Sequence, residues 1–234
     1  MTGRKAGLSA RRSDRPLAGR RLPGLVPAPA LPAHGHGQTI GLLGGSFNPP
    51  HAAHRLISLI ALRRLGLDAV WWLVTPGNPL KDHKDLPALA VRLGWAKALK
   101  QHPRIHVTYL ESRIGTRFSI DTLNWLQRRC PRIRFVWLMG SDNLVGFHRW
   151  KAWREIAASM PIAVITRPGS ELKATHSKAG LALQRHRLHE HAQKSLARRK
   201  APAWIVLHDQ RSHLSSTAIR ASQRGQTSPH HDFH

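Results

Sequence analysis

Eleven consecutive residues, Gly44-Gly45-Ser46-Phe47-Asn48-Pro49-Pro50-His51-Ala52-Ala53-His54, gather residue types suited to holding a polyphosphate. Two adjacent glycines let the backbone come close to a bound group and expose N–H donors. Two prolines stiffen the loop that follows. His51 and His54 stand at i and i+3, on one face of a helix expected to begin there. The unpaired N–H groups and positive dipole end of such a helix favour a phosphate. The spacing is not the dinucleotide fingerprint, since the glycines are adjacent and prolines follow. A histidine pair at this spacing also suits a metal, but a third ligand is needed and no acidic residue lies close by in sequence. The chain has 17 histidines, so an incidental pair is a third reading. Only the polyphosphate reading uses the whole segment.

The elements that must carry this segment alternate. Short β-branched or aromatic runs predict strands at Thr39–Leu43, Ala69–Thr75, Arg104–Leu110, Ile133–Met139, Ile162–Thr166 and Ala203–Leu207. Helical patterns lie between them at His51–Leu65, Leu86–Gln101, Ser119–Arg129, Trp150–Met160 and Ser177–Arg199, with a last short helix after Ser215. Strands alternating with helices imply right-handed crossovers. The expected fold is α/β: a Rossmann-like, doubly wound parallel sheet of about six strands with helices on both faces. Ligands of such sheets bind at the carboxyl ends of the strands, so the polar residues just after each strand are the ones to inspect.

Composition bounds the rest. The 234 residues suffice for one domain with tails. Residues 1–38 carry seven basic residues against the single acid Asp14, with five prolines and no period. They read as a disordered extension, or as sequence upstream of the true start. Arg20-Arg21 before Leu22–Ala33 resembles an export signal only superficially, because prolines interrupt its apolar stretch. The folded domain is expected over 39–224, and residues 225–234 form a polar, His-rich tail. One cysteine, Cys130, excludes an internal disulfide and a cysteine-cluster metal site, which fits a cytoplasmic protein. No apolar stretch is long enough to span a membrane. The net charge of +25 concentrates anions of any kind, nucleotide triphosphates included, and says nothing about fold. Lys173 to Lys200 carries eight basic residues against Glu190 and reads as a solvated basic surface helix, with a docking face for nucleic acid or another acidic partner as the sharper alternative.

Six blocks, each after an expected strand or opening an expected helix, carry a resemblance. Gly44–His54 resembles the phosphate-binding signature of the nucleotidylyltransferase superfamily. Val74-Thr75-Pro76-Gly77-Asn78-Pro79-Leu80-Lys81 resembles its strand-end segment, and Arg117–Leu123 a motif in which a hydroxyl residue starts a helix. Met139-Gly140-Ser141-Asp142-Asn143 with Phe147-His148-Arg149-Trp150, then Arg167-Pro168-Gly169 and Ser215–Arg220, complete the set. Within the superfamily the chain most resembles bacterial nicotinate-mononucleotide adenylyltransferases, from about Thr39 to Ser222. Ala53 departs from the glycine common there, Ser119 stands where threonine is frequent, and the segment before Lys81 is short.

The resemblance implies an enzyme that joins ATP to nicotinate mononucleotide and releases pyrophosphate, a step in NAD synthesis, with Mg²⁺ travelling on the ATP. It implies catalytic roles for His51, His54 and Arg220. The ATP-binding residues it implies are Gly44, Gly45, Ser46, Phe47, His51, His54, Gly140, Asp142, Ser216, Thr217 and Arg220. For the mononucleotide it implies Asn48, Lys81, Ser119, Trp150 and Arg167, with Trp150 stacking on the pyridine ring and no resident metal. Trp153, three residues on, is the rival for that exposed ring. A sister transferase acting on nicotinamide mononucleotide or phosphopantetheine stays open. From other classes come a basic nucleic-acid-binding protein on the same sheet and, more distantly, a metal-dependent hydrolase using His51 and His54. No membrane partner is expected, and a homo-oligomer stays open.

Overall fold

A computed structural model describes residues 30–77, 86–166 and 170–208. Strands β1 (Thr39–Gly45), β2 (Ala69–Val74), β3 (Ile105–Thr108), β4 (Arg134–Gly140), β5 (Ile162–Thr166), β6 (Arg187–Leu188) and β7 (Trp204–His208) join in one sheet. Its order is β3-β2-β1-β4-β5-β7-β6, and every pairing is parallel. All six residues of β2, Ala-Val-Trp-Trp-Leu-Val, are buried, as a parallel strand covered on both faces requires. Successive side chains alternate between faces. Trp71 therefore enters one core cluster and Trp72 the other.

Helices cover both faces. α1 (Ala52–Arg64) and α2 (Leu89–Lys100) close the side that holds Trp72 through Ile57, Ile60, Ala61 and Ala96. On the Trp71 side lie α3 (Leu110–Ile114), α4 (Ser119–Arg129), α5 (Ser141–Phe147), α6 (Trp153–Ser159), α7 (Glu171–Thr175) and α8 (Lys178–Ala182), through residues such as Leu110, Leu123, Phe147, Ile156, Ala174 and Ala179. α1 starts behind Pro49-Pro50 and stops before Gly66, whose φ of 66° lies in the left-handed region glycine adopts freely. Among the described residues no helix is long and apolar enough to cross a membrane.

The structure departs from the sequence reading in four places. The sheet has a seventh strand, the two-residue β6. It falls in the segment 177–199 that was expected to be one basic helix; that segment is α8, a 3-10 turn, β6 and a second 3-10 stretch, Glu190–Arg198. The reason is burial on two faces. Ala179 and Leu183 enter the core on the Trp71 side, Leu196 enters it on the Trp72 side, and no straight helix reaches both. The helix expected over Trp150–Met160 begins only at Trp153, because Ala152 is left-handed at φ 52°. Short helices α3, α5 and α7 were not anticipated. Finally, the packed chain begins before Thr39: the His34 ring meets Trp71 edge-on at 5.6 Å, and the Gly37 N–H donates to the Arg132 carbonyl at 2.9 Å.

Candidate active site at the strand ends

From β1 the chain winds outward to β2 and β3, then returns to lay β4 on the other side of β1. Crevices that bind ligands form at such a reversal, beyond the carboxyl ends of the two strands. Here those ends carry Gly44-Gly45-Ser46 and Gly140-Ser141-Asp142. At Gly44 contact demands glycine: a Cβ there would come within 2.8 Å of the buried Trp137 ring. At Gly140 a Cβ would meet only the exposed Asp142 carboxylate, at 2.5 Å, which can turn aside.

His51 caps α1 with extended backbone and is 7% exposed; His54 sits one turn in and is half-buried. The His51 backbone N–H donates to Nδ1 of His54 at 3.2 Å. A neutral His54 ring so bonded carries its proton on Nε2. That nitrogen faces Gly45, where it would lie 3.9 Å from a Cβ. The two imidazoles stand 4.0 Å apart, and the row continues from His54 to Phe47 at 4.6 Å and from Phe47 to Trp72 at 5.1 Å. Ser58 fixes the base of the row: its hydroxyl donates to the His54 carbonyl at 2.8 Å and accepts from the Trp72 indole N–H at 2.7 Å. Phe47 is left-handed, at φ 48°. This arrangement presents an N–H donor on a rigid ring beside a glycine turn.

Trp150 is half-buried, edge-on to Trp137 at 6.1 Å and to Phe147 at 5.5 Å. Trp137 is the ring beneath Gly44, so a single indole separates Trp150 from the turn. Trp153 is buried at 7% exposure, which leaves Trp150 as the more accessible of the two. Ser119 is the first residue of α4, beside Phe118. The Lys151 ammonium lies 4.2 Å from the centre of the Phe118 ring and so joins the segments that carry Ser119 and Trp150. Asp142 is exposed in the first turn of α5, and the Ser141 hydroxyl is 2.7 Å from that of Ser170. Ser46 and Asn48 are half-buried on either side of Phe47. Lys81, Arg167, Ser216, Thr217 and Arg220 lie outside the described residues. Among the described residues no group of three or more His, Cys, Asp or Glu side chains is placed to hold a metal ion.

Two residues were missed by sequence reasoning. Arg92, on α2, is 1% exposed, and its guanidinium donates to the carbonyls of Ser46, Thr75, Pro76 and Pro87. Its signal was a charged residue in phase with the apolar Leu89 and Ala96, diluted among many surface arginines. Glu111, at the start of α3 just past β3, is 6% exposed, and burial pushes its carboxyl up to about 7. The rule of inspecting polar residues after each strand points to it.

The model of the family described as cytidylyltransferase-like matches residues 42–222. The chain belongs to the cytidylyltransferase-like family. It is 56% identical over 181 residues to a probable nicotinate-nucleotide adenylyltransferase of Bradyrhizobium sp. (strain ORS 278), covering 77% of this chain and 94% of that one. It is 51% identical over 185 residues to one of Brucella suis biovar 1, covering 79% and 95%. At that identity and coverage this family member belongs with them. Its fold is shared with the Plasmodium falciparum nicotinic acid mononucleotide adenylyltransferase complexed with NaAD, at a TM-score of 0.59 and 17% identity over 79% of this chain and 83% of that one.

Proposed function

We propose that this family member transfers the adenylyl group of ATP to nicotinate mononucleotide, giving nicotinate adenine dinucleotide and pyrophosphate in NAD biosynthesis. An oxygen of the acceptor 5′-phosphate forms a bond to the α-phosphorus in line, the bond to the β-phosphate bridging oxygen breaks, and pyrophosphate leaves. Such a transfer needs two polyanions held together and charge stabilised on the oxygens, with no covalent intermediate on the protein. Mg²⁺ enters with ATP as part of the substrate, its ligands phosphate oxygens and water. We place the reaction in the cytoplasm.

The observation that carries this reading is the direction of His54 Nε2, turned to the Gly45 side of a glycine turn at the sheet's reversal. We assign that N–H to the α-phosphate and His51 to the neighbouring phosphate oxygens. Gly44, Gly45, Ser46 and Phe47 line the triphosphate, Gly140 and Asp142 take the adenosine ribose, and Ser216, Thr217 and Arg220 take the β- and γ-phosphates. Trp150 stacks on the pyridine ring, with Asn48, Lys81, Ser119 and Arg167 on the polar groups of the mononucleotide.

Purified protein incubated with ATP, Mg²⁺ and, in turn, nicotinate mononucleotide, nicotinamide mononucleotide and phosphopantetheine tests the reading by pyrophosphate release. Fastest release with nicotinate mononucleotide is expected. No release with any of the three acceptors, together with salt-sensitive binding to duplex DNA or RNA, would favour the nucleic-acid reading instead.

A further inference from the structure

We infer that Arg92 is a positioning residue: it sets the shape of the turn after β1 and of residues 75–77 at the end of β2, and so aims the donors of the phosphate cradle. The inference rests on the functional reading above. Arg92 lies on the inner side of α2, and every partner of its guanidinium among the described residues is a main-chain carbonyl. Nη1 donates to Ser46 at 2.6 Å and to Thr75 at 2.8 Å, Nη2 to Pro76 at 3.0 Å, and Nε to Pro87 at 2.9 Å. One planar group thus ties the turn after β1, the end of β2 and the entry to α2. The two loops also meet directly, where the Thr75 N–H donates to the Gly45 carbonyl at 3.0 Å.

The consequence follows from peptide geometry. In a trans peptide the C=O and N–H point in opposite directions. With the Ser46 carbonyl drawn to Arg92, the N–H of Phe47 is turned away from the guanidinium. With the Pro76 carbonyl drawn in, the N–H of Gly77 is turned away likewise. Phe47 is the left-handed residue of the cradle, and left-handed backbone at a bulky side chain persists only where its surroundings hold it. Its ring is held between His54 and Trp72, and its leading peptide plane is held by Arg92. The ring that Phe47 supports is His54, whose Nε2 faces Gly45. Arg92 therefore acts on the chemistry through Phe47 and the turn, not by touching substrate. Lysine cannot substitute, because its compact ammonium does not span acceptors around a fork.

The test compares Arg92→Lys and Arg92→Gln with the unmodified enzyme, each assayed well below its own melting temperature. We expect kcat to fall about 10- to 100-fold and KM for ATP to rise, with Arg92→Lys no better than partly active. A fastener without a positioning role would lower Tm and leave kcat and KM unchanged, and that result overturns the inference. Should neither variant fold, nitrogen-detected NMR of Arg92 in the unmodified protein decides. Separate, slowly rotating Nη resonances that shift when a non-hydrolysable MgATP analogue binds support it; one averaged resonance, or none that responds, overturns it. Absence of pyrophosphate release by the unmodified enzyme would instead strike the functional reading, while the resonance pattern still judges the clamp.

Discussion

At the scale of single residues, the proposed chemistry depends on donors held in place before the substrate arrives. His54 meets that condition, because a backbone N–H fixes Nδ1 as the acceptor and packing against Phe47 fixes the ring. A preorganised donor to a developing charge is commonly worth about 10²–10³ in rate. His54→Ala is expected to lower kcat by that order, measured as pyrophosphate release at saturating substrates. Trp150→Ala is expected to act on binding instead, since stacking on an aromatic base is worth about 1–3 kcal/mol. KM for the acceptor should rise about 5- to 150-fold with kcat within a few-fold. Glu111 makes a different kind of prediction. Its folded carboxyl, at about 7, holds a proton that the unfolded chain, near 4.5, has released. Stability therefore falls as pH rises through that window and is flat above it. Glu111→Gln should stabilise the fold most above pH 7, by on the order of 3 kcal/mol, read as a raised Tm whose gain vanishes near pH 4.5 in thermal melts. A gain independent of pH would contradict the assignment.

At the scale of elements, one network joins parts of the chain far apart in sequence. The His208 ring, at the end of β7, sits between the carboxylates of Glu171 on α7 and Glu190, which opens the stretch after β6. Arg64, at the end of α1, donates to Glu190 at 2.6 Å, and Arg187 donates to Glu171 at 3.0 Å. Burial opposes protonation of His208, but hydrogen bonds and charge from both carboxylates outweigh it and raise its pKa. The bond from His208 likewise holds Glu171 below the usual carboxylate range, and Glu190 is held low against its own burial. The histidine's contribution is thus full below about 6.5 and lost as pH rises through its folded value; the carboxylates' is lost in acid. Because the groups are well exposed, His208→Gln should cost at most about 3 °C in Tm near pH 6, and less near pH 9. An equal loss at both would contradict the account. Elements with a strong local signal were legible in sequence: α4, with its helical period, and β5, with its largely β-branched run, have the bounds read from it. The segment 177–199 was not, because its leucines serve opposite faces of the sheet, and single-helix periodicity has no way to express that. The start of α6 was missed for a local reason, a left-handed alanine.

At the scale of the molecule, parallel strands and a reversal of their order bring Gly44, His54 and Gly140 to one end of the sheet, though 96 positions separate the first from the last. That convergence was legible, since the strand-end rule needs only the alternation of elements. The carbonyl cage of Arg92 was not, because a lone arginine in a helix gives no sign of which loops lie above it. A charge of +25 raises the local concentration of both anionic substrates and of competing nucleic acid alike, so it does not discriminate between them. Discrimination rests on the cradle. The most direct measurement is the structure of the protein with a non-hydrolysable ATP analogue and Mg²⁺. The account predicts His54 Nε2 within hydrogen-bonding distance of an α-phosphate oxygen, with the triphosphate lying along Gly44–Phe47. A triphosphate bound elsewhere on the sheet, or an α-phosphate out of reach of both imidazoles, would contradict it.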